Sequence, residues 1–178
     1  MKQSRGSIKS IIVLTAICLA VTALLAVTNS FTAPKIADAR QQKIENSLKE
    51  IFPDVYSIRE IKPLPERTPS TVKAVYVINN EDYAIVLATT SAYSSGDMGI
   101  TVGLKGGYGE IIGIKLTSYY ESKDFGKDTY PLNYIGKDIG SYKDVDAFAG
   151  VTYSSKALKN AIGDAFECFK LVGGGAVE

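Results

Sequence analysis

Histidine is missing from all 178 residues of this chain. Its absence removes imidazole acid–base chemistry, the Ser-His-Asp arrangement and the commonest metal ligand together. Cysteine is scarce. Cys18 falls in an apolar run and Cys168 in a predicted helix at the other end of the chain, which fits neither a disulfide framework nor a thiolate metal site. Charge of one sign is also lacking, because 20 Lys and Arg against 19 Asp and Glu leave a formal net of +1. A chain with no basic surplus has no electrostatic footprint for nucleic acid. No internal repeat is found. The sequence thus presents no catalytic residue and no metal-binding set, and any redox chemistry must be carried by a borrowed cofactor.

What is present begins with a long apolar run. Lys2, Arg5 and Lys9 precede IIVLTAICLAVTALLAV, Ile11 to Val27, interrupted by Thr15 and Thr22. As a helix extended over residues 10–28 it reaches roughly 28 Å, the hydrocarbon thickness of a bilayer. The run is longer than the apolar region of a secretory signal and no small-x-small cleavage site follows it, so an uncleaved membrane anchor is expected. Ile17 stands before Cys18 where a lipoprotein signal needs a small residue. The basic residues ahead of the span favour a cytoplasmic N-terminus, although Lys35, Arg40 and Lys43 beyond it weaken the bias. The expected localisation is the cell membrane, single-pass, with the bulk of the chain on the extracytoplasmic face. Small residues along the span (Thr15, Cys18, Ala20, Thr22, Ala23) suit either close helix packing with partner subunits or plain lipid contact.

With 46% hydrophobic residues, the remainder suffices for one globular domain. Pro34 suits a first helical position, and Ile36, Ile44, Leu48, Ile51 and Phe52 recur at near-helical spacing up to Pro53, predicting a stalk helix. A connector with three of the six prolines, 62-KPLPERTP-69, reads as an extended surface segment. The period then changes to that of strands over 73–78, 83–90, 99–104 and 110–120, with Asn79-Asn80-Glu81-Asp82 as a hairpin turn. Residues 121–144, rich in turn formers and aromatics, are expected to wrap a ligand or a sheet edge. Ala157, Leu158, Ala161, Ile162, Ala165, Phe166 and Phe169 share one face of a last helix ending before 173-GGG-175. The predicted fold class is α+β, an antiparallel β-sheet packed with helices and preceded by one N-terminal transmembrane helix. Its parts are a cytoplasmic N-terminus at 1–10, the transmembrane helix at 11–29, the stalk helix at 30–53 and an extracytoplasmic domain at 54–178.

The stretch 146-DAFAGVTYSSKAL-158 enters that last helix. Thr152, Ser154 and Ser155 are favoured cap residues, and Gly150 permits a tight turn. The same geometry, with free amides at the positive end of a helix dipole, suits a phosphate, and a threonine hydroxyl there can be esterified by one. Composition alone leaves both readings open.

Several positions carry a resemblance. Asp146-Ala147-Phe148-Ala149-Gly150-Val151-Thr152 resembles the D-x-x-[ST]-G-A-[ST] flavinylation motif of the covalent FMN-binding domain family. Ser154, Ser155, Ala157 and Leu158 fit its continuation. Upstream, 92-AYSSGDMGITVGL-104 resembles the family's G-Y-x-G-x-I-x-V-G stretch, and 107-GYGEIIGIKLTSYYES-122 its D-G-x-I-x-G-I strand leading to an E-T-P-G-L-G loop. Ala149 and Val151 depart from the attachment motif, and residues 121–126 keep only Glu121 and Gly126 of the loop.

The resemblance implies FMN held by a phosphoester to Thr152 and installed by a flavin transferase. Gly150 would let the backbone pass the phosphate, flanked by Val151 and Tyr153. Ser154 and Ser155 are fallback acceptors. Asp146 serves transferase recognition or holds the turn, and Tyr93 and Phe125 are candidate ring neighbours beside Glu121 and Gly126. With the N-terminal anchor, the resemblance extends to a subunit of Rnf-type ferredoxin:NAD oxidoreductases that couple electron flow to Na⁺ or H⁺ movement. Such a subunit is an electron carrier, not catalytic alone. Its partners would be membrane subunits A, D and E, through them B and C, and membrane lipid. A stand-alone anchored flavoprotein of extracellular electron transfer and a non-redox binding or scaffold domain remain as alternatives.

Overall fold

The computed structural model describes residues 3–90, 96–120 and 126–173. The chain divides into two units, residues 1–42 and 43–178. The first unit is helix throughout its described part, and the helix, α1, spans Gln3–Ile51. Its apolar side chains from Ile11 to Phe31 are exposed, and it is long and apolar enough to cross a membrane. Polar groups within it are turned back on the helix: the Thr22 hydroxyl donates to the Cys18 carbonyl at 2.8 Å and Thr28 to Leu24 at 2.9 Å. In hydrocarbon this removes the cost of unpaired hydroxyls. The stalk does not start afresh at Pro34, which lies inside α1. Proline removes a single amide bond from the ladder, and long helical stretches on both sides carry the chain through it.

The second unit is built on a five-stranded antiparallel sheet in the order β1 (Ile58–Glu60), β2 (Val72–Ile78), β3 (Asp82–Thr90), β4 (Asp97–Leu104) and β5 (Ile111–Ser118). Four of the strands match the runs of β-forming residues. The hairpin between β2 and β3 is a tight turn with Asn79 and Asn80 at φ 54° and 62°, and Glu81 N–H donating to the Ile78 carbonyl at 3.1 Å. Asparagine tolerates this left-handed pair better than other side chains. β1 went unforeseen. Its three residues are too few to show a period, and pairing with the far end of β2 through Ile58↔Ile78 and Glu60↔Tyr76 creates the strand.

Both faces of the sheet are covered, which is why β3 reads as a continuous apolar run rather than an alternation. Ala84 and Val86 face a cluster with Leu48, Phe52, Tyr76 and Ile78, supplied in part by the last turns of α1. Ile85, Leu87, Met98, Ile100, Val102 and Leu104 face the larger core under α2, Thr152–Leu171. The predicted helix face is buried there at Leu158, Ala161, Ile162, Ala165, Phe166 and Phe169.

Residues 126–144 run along the β5 edge through two single-turn 3₁₀ helices, Tyr130–Tyr134 and Tyr142–Asp144. Ile111 and Gly136 close that edge: Gly136 N–H donates to the Ile111 carbonyl at 2.8 Å, and Ile111 N–H to Lys137 at 2.8 Å. An edge strand left open would invite pairing with another chain.

Candidate functional site

The direction of α2 against the sheet locates its first turn. Near its end Phe169 meets Tyr83 edge-on at 5.2 Å, at the beginning of β3. One and a half turns earlier, Asp164 accepts a 2.6 Å hydrogen bond from Thr71, whose carbonyl in turn takes the Ala88 amide near the end of β3. The helix therefore runs antiparallel to β3, and its N-terminus lies towards the end of the sheet where Thr90 pairs with Asp97 and Gly99 with Ser118.

That N-terminus is not capped as the sequence suggested. The N-cap position belongs to Val151, φ −135° and ψ 43°, whose side chain makes no capping hydrogen bond. Val151 is buried in the core, and this anchors the register one to four residues ahead of the hydroxyls. Thr152, Ser154 and Ser155 consequently fall inside the helix, past the position from which an oxygen reaches back to the end. The Ser155 hydroxyl instead donates to the Val151 carbonyl at 2.9 Å and the Thr152 carbonyl at 3.1 Å. Ser154 is 0% exposed, and its Oγ is buried without a hydrogen-bond partner. Thr152 is exposed.

The loop leading in, residues 146–150, is exposed along its whole length between buried Val145 and Val151. Gly150 has φ +82° with open space where a Cβ would stand, so the backbone turn and not crowding calls for glycine. Val151 N–H closes this turn on the Phe148 carbonyl at 3.2 Å. Asp146 is exposed, and its side chain makes no hydrogen bond among the described residues. Its carbonyl is what the fold uses, accepting from the Tyr130 hydroxyl at 2.8 Å. Phe148, 39% exposed, lies edge-on against the Tyr130 ring at 5.7 Å. Tyr153 is 64% exposed in the first turn of α2.

Gly126 belongs to this neighbourhood. At φ +69° its carbonyl takes the amides of Thr129 at 2.9 Å and Tyr130 at 2.7 Å, and a Cβ on it would come to 3.9 Å from the Phe148 ring. The structure thus brings Gly126 together with the 146–152 stretch. Tyr93, Glu121 and Phe125 lie outside the described residues. Close to the same end of the sheet, Lys43, Leu116, Thr117, Ser118, Tyr119, Tyr120, Lys127 and Asp128 line an open polar cavity of about 210 Å³.

Beneath the loop, Tyr130 and Tyr134 are buried, with rings edge-on at 6.0 Å and hydroxyls 3.4 Å apart. Burial pushes the Tyr134 hydroxyl far above the ordinary phenol range, and its hydrogen bond with Tyr130 adds to the shift. Neither tyrosine was singled out from sequence. The aromatic richness of residues 121–144 was visible, but contacts across 16 positions leave no local signal.

An FMN phosphate is compatible with these residues. The first turn of α2 holds no acidic side chain, the dipole there is positive, and an orphaned buried hydroxyl lies one turn in. Residues 1–51 match the RnfG N-terminal region and residues 94–167 match the FMN-binding domain. The G subunit of an ion-translocating oxidoreductase complex from Shewanella piezotolerans (strain WP3 / JCM 13877) is 24% identical over 192 residues, covering 89% of this chain and 87% of that protein. An exposed motif at the start of α2, an FMN-binding domain around it and an apolar helix ahead of it agree: the chain joins an RnfG-type N-terminal region to an FMN-binding domain and is similar over most of its length to a G subunit of an ion-translocating oxidoreductase complex.

Proposed function

We propose that the chain carries FMN covalently, through a phosphoester to Thr152, and relays electrons within an Rnf-type ferredoxin:NAD oxidoreductase. The observation that carries this reading is the contrast among three neighbouring hydroxyls. Thr152 is exposed at the first position of α2, while Ser154 and Ser155 are buried and so poorly suited as fallback acceptors.

FMN, when bound, supplies reversible one-electron chemistry that this histidine-free chain lacks. The chain's own residues hold and orient it. Thr152 fixes it at a constant effective concentration, which suits a relay that must not lose its carrier. Gly150 supplies the left-handed turn that leads the loop into α2, and the amides of the α2 end favour the phosphate's charge. Tyr153 and Gly126 stand near the 146–152 stretch as candidate flavin contacts, and the resemblance in sequence adds Tyr93, Glu121 and Phe125 as further candidates.

Attachment by a flavin transferase is a substitution at phosphorus. The Thr152 Oγ–P bond forms and the pyrophosphate P–O bond of a flavin dinucleotide breaks. The leaving nucleotide monophosphate takes the electron pair, and the hydroxyl proton passes to solvent.

In the membrane, the span anchors the chain with its N-terminus inside and the FMN domain on the extracytoplasmic face. Subunits A, D and E are its neighbours, with B and C reached through them. A lone carrier does not pump, so coupling to Na⁺ or H⁺ belongs to the assembly.

The test is expression with and without flavin transferase, followed by denaturation, in-gel flavin fluorescence and intact mass. A transferase-dependent increase of one FMN on the Thr152 peptide, absent in Thr152→Ala, is expected. No adduct in the presence of active transferase overturns the reading.

A further inference from the structure

We propose that Tyr130 is a positioning residue for flavin attachment: buried beneath the 146–150 loop, it holds the loop in the shape that the flavin transferase binds. This rests on the reading of Thr152 as the acceptor.

Five consecutive exposed residues between two buried valines would ordinarily sample many conformations. Two contacts from one side chain restrain them. The Tyr130 hydroxyl donates to the Asp146 carbonyl at 2.8 Å, fixing the start of the loop, and the Tyr130 ring packs edge-on against Phe148 at 5.7 Å, fixing its middle. The Val151 amide then ties Phe148 to the helix start at 3.2 Å. Tyr130 is itself immobilised. It is 4% exposed, its amide donates to the Gly126 carbonyl at 2.7 Å, and Tyr134 packs on its other side.

The arrangement separates inside from outside within one residue. Asp146 gives its carbonyl to Tyr130 and leaves its carboxylate in solvent, so the acidic group of the motif is presented outward at a fixed place relative to Thr152. A transferase that must bring a pyrophosphate to the Thr152 hydroxyl gains by meeting a loop already ordered, because ordering on binding subtracts from affinity. Tyr130 does not touch the reacting atoms, so its influence falls on recognition of the protein substrate.

The experiment compares full-length wild type, Tyr130→Phe, Phe148→Leu and Thr71→Val, each incubated with flavin transferase and flavin adenine dinucleotide. Covalent FMN is followed by mass at several protein concentrations, and amide exchange over 147–151 is recorded before flavin is added. Tyr130→Phe keeps the ring and loses only the hydroxyl. The expectation is a kcat/KM for incorporation lowered roughly 3- to 10-fold, the scale of one lost hydrogen bond, through KM and with kcat retained. Exchange over 147–151 should quicken. Phe148→Leu should act in the same direction. Thr71→Val removes a hydrogen bond on the far part of α2 and should leave incorporation at the wild-type rate, which separates positioning from a general loss of stability.

Wild-type kinetics in Tyr130→Phe, or an equal loss in Thr71→Val, overturns the proposal while wild type still takes up FMN. If Tyr130→Phe does not fold, Phe148→Leu decides by the same criteria. Absence of FMN on wild type sinks the Thr152 reading itself, and this one with it.

Discussion

Gly103 and Gly113 are direct partners across β4 and β5, and together they form the notch that receives the side chain of Ile51 at the end of α1. A Cβ on Gly113 would lie 2.7 Å from Ile51 Cγ2, and one on Gly103 would also press on Phe52 Cζ at 3.0 Å. Close packing has no slack for such an addition. Gly103→Ala should destabilise this unit by about 1–3 kcal/mol, and by less in a background where Ile51→Ala has already removed the Cγ2 that the new Cβ would meet. Denaturant unfolding of the single and double variants checks it, and equal losses in both backgrounds would show that Ile51 is not the obstacle.

Ser154 carries a buried hydroxyl with no partner. Such a group costs about 1–3 kcal/mol when unmade, so Ser154→Ala should raise the stability of the flavin-free protein by up to that amount. The same variant should still take one FMN, since the acceptor is Thr152. A melting temperature below wild type would mean that the hydroxyl is satisfied after all.

Thr71 and Asp164 join the segment before β2 to the middle of α2 at 2.6 Å. Thr71→Val should cost about 1–3 kcal/mol, the scale of a hydrogen bond to a charged group. The loss should appear in unfolding curves without a change in the slope against denaturant, and a changed slope would point to an altered denatured or native state instead.

Tyr134 has its ionisation raised from an ordinary value of 10.0 by burial, so the folded state binds this proton more tightly than the unfolded state. The sign follows from linkage. The contribution is fully present below pH 10.0, and it declines as pH rises beyond that value because the unfolded chain releases the proton first. Tyr134→Phe should therefore flatten the alkaline fall in stability, measured as denaturation midpoints between neutral pH and about pH 11. An unchanged alkaline limb would assign the loss to other groups.

Much of the fold was legible because the signals are periodic and local. The Ile11–Val27 run, the four long strands and the buried stripe from Leu158 to Phe169 follow from the hydrophobic pattern, and the Asn79-Asn80 turn follows from the backbone freedom of asparagine. The continuity of α1 through Pro34 and the short β1 did not follow. In each case the neighbouring structure outweighs the local preference.

At the site, sequence alone determined which hydroxyls stand near a helix start, that no histidine can serve there, and that the motif keeps Asp146, Gly150 and Thr152. It did not separate the three hydroxyls, and it did not point to Tyr130. Only tertiary structure decided those, because exposure is a property of what packs around a position. Burying Val151 sets the register that leaves Thr152 in solvent and Ser154 in the core, and the return of residues 126–134 along β5 carries Tyr130 beneath a loop 16 positions away.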